Sequence, residues 1–568
     1  MKKALLSLVI IWVFTGAVKN NPSQYLPAPG YNVAVCGGVD YSLIQPGPNG
    51  KFISIMPGVG HHHYRIHTSS DSAQHYFDQG LSFYYGYHFS EALASFKEAA
   101  RFDRNCAMAY WGQALALGPF YNNYNYQMSK EVPGVLLALQ KANTGTDARE
   151  NDLFNAMQQR YSSDFTNADR KELDLRYADA MRKLSSKYPT DPDIKALYID
   201  AGMLCHKWDF WHTDGSPQPW TPELVANAEA LLKTDPKNPA AIHYYIHLTE
   251  ASRTPERSLA YADRLKDLMP GVAHMVHMAT HAYQRGGLFA KGVTVNEEAY
   301  RVFRSEDSIT LLHLSKSIPI HFFAVQSYCA MNAGMYAKGM PLYLRARDSI
   351  VAMKPIFAKE PYAQFVYMTP VMAWVRLGKW EEILQAPKPD LSWKYALIID
   401  DFAKGMAQVR QHNITAAREF LTDLKTQLTD SLLAVRRPPY NQPKQSGQVA
   451  AAILTGEIFY AEGKTEAAIN ALKEAVSEED RLIYREPQEW LIPARQYLGY
   501  YLLKLNKVAE AEKVYQADLV ANPGNGWSLI GLYQTAKAQR LSSAAARYRS
   551  RYRQAFATAD KLPVASVF

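Results

Sequence analysis

Cysteine is scarce in this chain. Four occur in 568 residues, at positions 36, 106, 205 and 329. Their spacing matches no zinc-finger pattern. Cys106, Cys205 and Cys329 lie in apolar helical contexts and read as small buried side chains. Long apolar runs are also missing. After the first few residues no stretch has 18 uninterrupted apolar residues, which excludes a membrane span from the mature chain. A dense Lys/Arg stripe is absent too. The formal charge is +8, from 62 basic and 54 acidic residues, which is a mild excess over this length. That argues against nucleic acid as a partner. No Gly-x-Ser-x-Gly, no Gly-rich phosphate loop and no His-Glu-x-x-His occurs, so the usual nucleophile, nucleotide and zinc-protease signatures are excluded.

What remains is a globular composition, 48% hydrophobic and 20% charged, with 31 Gly and 31 Pro. Leu, Ala and Tyr are prominent, with 37 Tyr, and β-branched runs are few. The first residues read as an export signal. Met1-Lys2-Lys3 is a charged start, Ala4 to Phe14 an apolar core, and Thr15-Gly16-Ala17 a small-residue cleavage region. The expected mature protein is exported, to the periplasm or the extracellular space. Residues 18–68 are Gly- and Pro-rich and read as an irregular N-terminal arm, too short for a core of its own.

Beyond about residue 70 the chain repeats as helix pairs. Gly80, Phe83, Ala92, Phe96 and Ala99 fall at the small and aromatic positions of a 34-residue tetratricopeptide unit. Gly456, Phe459, Ala468 and Ala475 do so again, as do Gly499, Leu502, Ala511, Tyr515 and Pro523. Weaker units centre on Gly112, Tyr283, Ala330, Trp374 and Ala417. Small residues let paired helices approach, and large ones fill the gap between repeats. The predicted fold is all-α, an α-solenoid superhelix of tetratricopeptide-like repeats. Its predicted divisions are a signal peptide (1–17), the arm (18–68), N-terminal repeats with a Trp-rich loop (69–235), His-rich repeats (236–345), C-terminal repeats (346–545) and a tail (546–568).

Fifteen of the sixteen histidines lie between residues 61 and 321. Six candidate ligands sit at helical spacing. His243, His247 and Glu250 share one face of a helix, because offsets of three, four and seven do so. His274, His277 and His281 share one face of another. Placed on the first helices of adjacent repeats, the triplets stand side by side on the concave surface, about 8–10 Å between axes. Imidazole and carboxylate suit zinc, copper, nickel or iron. Glu250 is the acid in register, as a ligand or as a general base beside metal-bound water. His61, His62, His63 and His67 precede the first repeat and are further candidates, as are His88 and His321. Two loops, 121–126 and the Trp-rich 207–221, read either as ligand-stacking surfaces or as covers on the repeat edges.

Several blocks exceed what repeat packing demands. They are Gly60-His-His-His, Tyr76-Phe-Asp-Gln-Gly-Leu81, Cys106-Ala-Met-Ala-Tyr-Trp-Gly112, and Trp208-Asp with Asp214-Gly215. The two histidine stretches join them, followed by Glu486-Pro487 with Trp490 and by Asn525-Gly-Trp-Ser-Leu529. On these blocks, from about residue 58 to 532, the chain resembles a family of exported bacterial tetratricopeptide-repeat proteins. The resemblance implies a built site and leaves the reaction open. The chain departs from the pattern beside His321, where a second polar residue is implied and Pro319-Ile320 stand. The reading is an exported scaffold with a zinc, copper or iron ion in its groove, binding a protein, peptide or small ligand. The alternatives are a metal-dependent hydrolytic or oxidative enzyme, and a plain protein-binding solenoid without metal.

Overall fold

The structure is a computed structural model that describes residues 44–568 apart from 145, 167, 310–318 and 438. The signal-like segment 1–17, residues 18–43 of the arm, and Cys36 lie outside the described residues. Within them the chain is an all-α solenoid of tetratricopeptide-like helix pairs. No strand ladder occurs among the described residues, only an isolated bridge between Trp211 and Pro217. No helix there is long and apolar enough to cross a membrane.

The repeat chemistry is visible in the packing. Helix Asp71–Tyr85 pairs with Phe89–Phe102, and Ala107–Ala116 follows. Phe96 lies between Gly80 and Gly112. A Cβ at Gly80 would come 2.6 Å from the Phe96 ring, and one at Gly112 would come 2.4 Å from it. Only glycine permits that approach on both sides. Tyr515 stands in the same way between Gly499 and Gly531, with hypothetical Cβ contacts of 2.6 and 2.2 Å. Each such ring is fully buried, worth about 1.5–3 kcal/mol of hydrophobic stabilisation.

Two large apolar clusters run along the solenoid. One extends from Ile44 to Phe322, the other from Phe289 to Val567. They meet around helices Phe289–Ile309 and Ile320–Asn332. The described part of the arm adds to the first cluster through Ile44, Ile53, Met56, Val59, Tyr64 and Ile66. Its backbone is pinned to the first helix pair: Met56 N–H donates to Gln79 and Phe52 N–H to Glu98. Farther on, Gly271 N–H donates to Gly58 C=O, which ties the arm to the turn before helix Ala273–Arg285.

The superhelix also closes on itself. The segment 480–493 reaches back to the histidine helices and buries Arg485, Glu486, Trp490, Leu491 and Ile492. Arg285 Nη1 donates to the carbonyl of Ala521 at 2.9 Å, and Asn525 Nδ2 to Asn332 Oδ1 at 3.3 Å. The inner face at this level is therefore covered by the chain's own C-terminal half.

Candidate metal centre

Helix Pro239–Thr249 starts where the sequence provides an N-cap. The Asn238 side chain accepts from Ala241 N–H, and Pro239 supplies a pre-set φ at the first turn. The helix carries His243 and His247, and Glu250 is its C-cap. Helix Ala273–Arg285 carries His274, His277 and His281, and helix Ile320–Asn332 carries His321. These three helices bring the imidazoles together. His243 Nε2 lies 3.2 Å from His274 Nε2. His281 Nε2 lies 2.9 Å from His277 Nε2 and 3.3 Å from His321 Nε2. In two groups, His243 with His247 and His274, and His277 with His281 and His321, the donor atoms all fall within 4.8 Å of one another. A third group of that kind is His247 with Glu250 and Glu486. Tetrahedral ligands at bond lengths of about 2.0–2.1 Å stand about 3.3–3.4 Å apart, so the spacings suit an ion.

The hydrogen bonds assign the tautomers. His243 Nδ1 sits 2.6 Å from the Tyr85 carbonyl, which can only accept, so this nitrogen carries the proton. His247 Nδ1 donates to Glu250 Oε1 at 2.9 Å, and His277 Nδ1 to Asn296 Oδ1 at 2.6 Å. Each of the three therefore presents Nε2 with a bare electron pair. His247 Nε2 is buried without a hydrogen-bond partner. Orientation of a ligating imidazole by an oxygen on its far nitrogen is the usual support of a metal site. His281 Nδ1 faces two carboxylates, Glu250 Oε2 at 2.9 Å and Glu486 Oε2 at 3.0 Å. Tyr484 donates its hydroxyl to Glu250 Oε2 at 3.2 Å, and Arg285 Nε donates to the Glu250 carbonyl at 2.7 Å.

Every member of the cluster is buried, none more than 6% exposed. Burial first, then neighbouring imidazoles, holds the pKa values of His243, His274, His277 and His321 well below the ordinary range. Burial likewise lowers that of His247. These rings are neutral at pH 7, the state a metal requires. His281 differs. Burial opposes its charge, but Glu486 and Glu250 outweigh that and raise its pKa to about 10. Burial also opposes the Glu250 carboxylate, yet His281 and its hydrogen-bonding neighbours hold its pKa well below the usual range. Glu486 is pushed well above it, by burial and then by the Glu250 charge.

Aromatic rings wall the site. Tyr87 lies 4.4 Å from His243 and 5.5 Å from His274 between ring centroids, and Phe322 stacks on His277 at 4.0 Å. Tyr87 has φ of 57°, a left-handed conformation unfavourable for a bulky residue. In that conformation its ring packs against the His243 and His274 imidazoles. The two singled-out loops pack on each other and on this wall. Tyr121 stacks on Trp208 and Phe210 and lies 5.2 Å from His247. Trp208 Nε1 donates to Asn122, and Trp211 Nε1 to the Leu248 carbonyl.

Not every candidate joins. His62 pairs with Asp193 and His63 with Asp78, both at 2.7 Å, and neither enters the three groups. His61 and His67 are exposed, and His88 faces Glu91 at 3.9 Å. The Glu250 carboxylate stands on the Nδ1 side of His247 and His281, where it orients the rings. His321 is part of the cluster despite Pro319-Ile320. Asn296, Glu486 as a site residue, and Tyr484 were missed. Asn296 lies one helix beyond His277 and bears no spacing signal. Glu486 and Tyr484 lie more than 200 residues along the chain, though the Glu486-Pro487 block marked the place.

No family model matches the chain, and no curated protein matches it. Among solved structures it is similar to the human IFIT1 dimer with m7Gppp-AAAA, at 13% identity and a TM-score of 0.32. That match covers 87% of this chain and 92% of IFIT1. The APC/C hetero-tetramer Cut9-Hcn1 matches at 13% identity and a TM-score of 0.25, over 87% of this chain and 76% of that one. Yeast Tom70 matches at 10% identity and a TM-score of 0.28, over 85% and 91%. At these scores no ligand or site transfers, and the fold stands on its own helix pairing.

Proposed function

We propose that this chain is an exported tetratricopeptide-type scaffold that holds a transition-metal ion in a buried, imidazole-rich centre. Zinc, copper and iron are the candidate ions. The remaining repeat surface takes a protein, peptide or small ligand. One observation carries the metal reading. His243, His247 and His277 each commit Nδ1–H to a fixed oxygen, so that bare Nε2 atoms converge in a buried space. Hydrophobic packing alone gives no reason to bury six imidazoles and two carboxylates together, since each polar group there is costly unless satisfied. Burial of every ligand favours a scaffold over a hydrolytic or oxidative enzyme. A free general base is also lacking at Glu250, whose two oxygens are engaged by His247, His281 and Tyr484.

The test is metal analysis of the purified full-length protein, with and without chelation, together with thermal melts. The expected result is bound transition metal that survives gel filtration, and a Tm that falls on chelation and recovers with zinc. Saturation at about a thousand times Kd would stabilise the fold by about 4 kcal/mol. Metal-free protein whose Tm ignores added zinc, copper and iron overturns the reading. Export belongs to the same proposal. Cell fractionation should find the chain outside the cytoplasm, with its N-terminus trimmed near residue 17, and intact cytoplasmic chain refutes it.

A further inference from the structure

We infer that the centre takes two ions rather than one. The first binds Nε2 of His243, His247 and His274, the second Nε2 of His277, His281 and His321, and the Glu250 carboxylate spans the pair. This rests on the metal reading above and sharpens it. A single tetrahedral ion accepts about four donors, and six converging imidazoles exceed that. They divide into two triads, each compact within 4.8 Å. Between the triads the nearest ring centroids are 5.9 Å apart for His247 and His281 and 6.1 Å for His274 and His277. Within the second triad the spacings are 4.8, 4.9 and 5.3 Å, and in the first His243 bridges the other two at 5.0 Å each, His247 and His274 being 6.5 Å apart.

Glu250 is placed for both. Its Oε1 accepts from His247 Nδ1 and its Oε2 from His281 Nδ1, each at 2.9 Å. One carboxylate therefore orients one ligand of each triad. The triads are not equivalent. Helices Pro239–Thr249 and Ala273–Arg285 supply the first entirely. The second adds His321 from a third helix, and Glu486 Oε2, 3.6 Å from His321 Nε2, lies outside the three-imidazole group. The first triad has three imidazoles and the unpartnered His247 Nε2. Each triad is thus a three-donor site, which keeps a position for water or a further ligand. The first ion thus ties helix Pro239–Thr249 to Ala273–Arg285, and the second ties Ala273–Arg285 to Ile320–Asn332.

The test uses full-length protein stripped with a chelator and reloaded with zinc or cobalt(II), then gel-filtered and analysed for metal. Wild type should retain two equivalents. His247→Gln should retain one, as should His321→Gln, and the double variant none, with helix content by circular dichroism unchanged. Cobalt(II) spectra of the single variants should differ from each other and sum to that of wild type. One equivalent in wild type overturns the inference while leaving the metal reading intact. So does loss of both ions in either single variant, or identical cobalt spectra in the two. Wild type that retains no metal overturns the reading beneath it. Should His→Gln variants misfold, His247→Asn and His321→Asn are measured instead, against the same outcomes.

Discussion

Substituting Glu250→Gln probes the centre at its most shared group. The carboxylate accepts two imidazole N–H bonds at 2.9 Å and one tyrosine hydroxyl at 3.2 Å. An amide has a single acceptor oxygen. Its NH2 must then face either His247 Nδ1 or His281 Nδ1, and two donors cannot share that contact. The affected ring has to move its proton to Nε2, which removes its ligand lone pair. Loss of one hydrogen bond to a charged acceptor costs about 1.5–3 kcal/mol. Loss of an orienting carboxylate weakens metal binding by about 10–100-fold, or about 1.4–2.7 kcal/mol. The assay has two arms, zinc affinity by competition with a chelator and Tm in the presence of chelator. Both should fall, and the affinity loss should be concentrated in one binding step, that of the triad whose ring faces the amide NH2. A zinc affinity within twofold of wild type, with an unchanged Tm, would refute the tautomer argument.

Three further outcomes follow from the structure. Phe96→Ala empties the space between Gly80 and Gly112 and should cost about 3–5 kcal/mol in urea unfolding; a loss below about 1 kcal/mol would mean that the pair does not rest on this ring. Asp401 is 1% exposed with neither oxygen hydrogen-bonded, and burial, then Asp400 and Asp423, raise its pKa to about 7. A folded pKa above the unfolded value of about 3.9 gives stability that is present below pH 4 and lost as pH rises through 7. Asp401→Asn should therefore exceed wild type by about 2 kcal/mol at pH 8, with the gap closing toward pH 4, and a constant gap would contradict this. Finally, a cavity of about 100 Å³ is lined by Trp211, Arg253, Arg285, Asp480 and Tyr484, and the Tyr484 hydroxyl separates it from Glu250. Tyr484→Ala should speed chelator extraction of zinc at least tenfold with little change in zinc bound at saturation, and an unchanged rate would place the metal's route elsewhere.

The local periodicities were legible in the sequence because they are properties of a helix and its nearest partner. Gly80 with Phe96, and Gly499 with Tyr515, are packing pairs between successive helices, so their spacing alone identifies the repeat. The register of His243 with His247, and of His274, His277 and His281, follows from 3.6 residues per turn. Adjacent repeats then place the two faces together. Tertiary structure decided the rest. Helical period says which face a histidine occupies but not which nitrogen carries its proton. Tyr85 C=O, Asn296 and Glu250 decided that, and with it that the Glu250 carboxylate supports the ligand rings from behind. Glu486 and Tyr484 reach the centre only because superhelical twist, accumulated over many repeats, returns the 480–493 segment to helix Ala273–Arg285. Small rotations summed across that length depend on every intervening interface, and no local pattern encodes the sum.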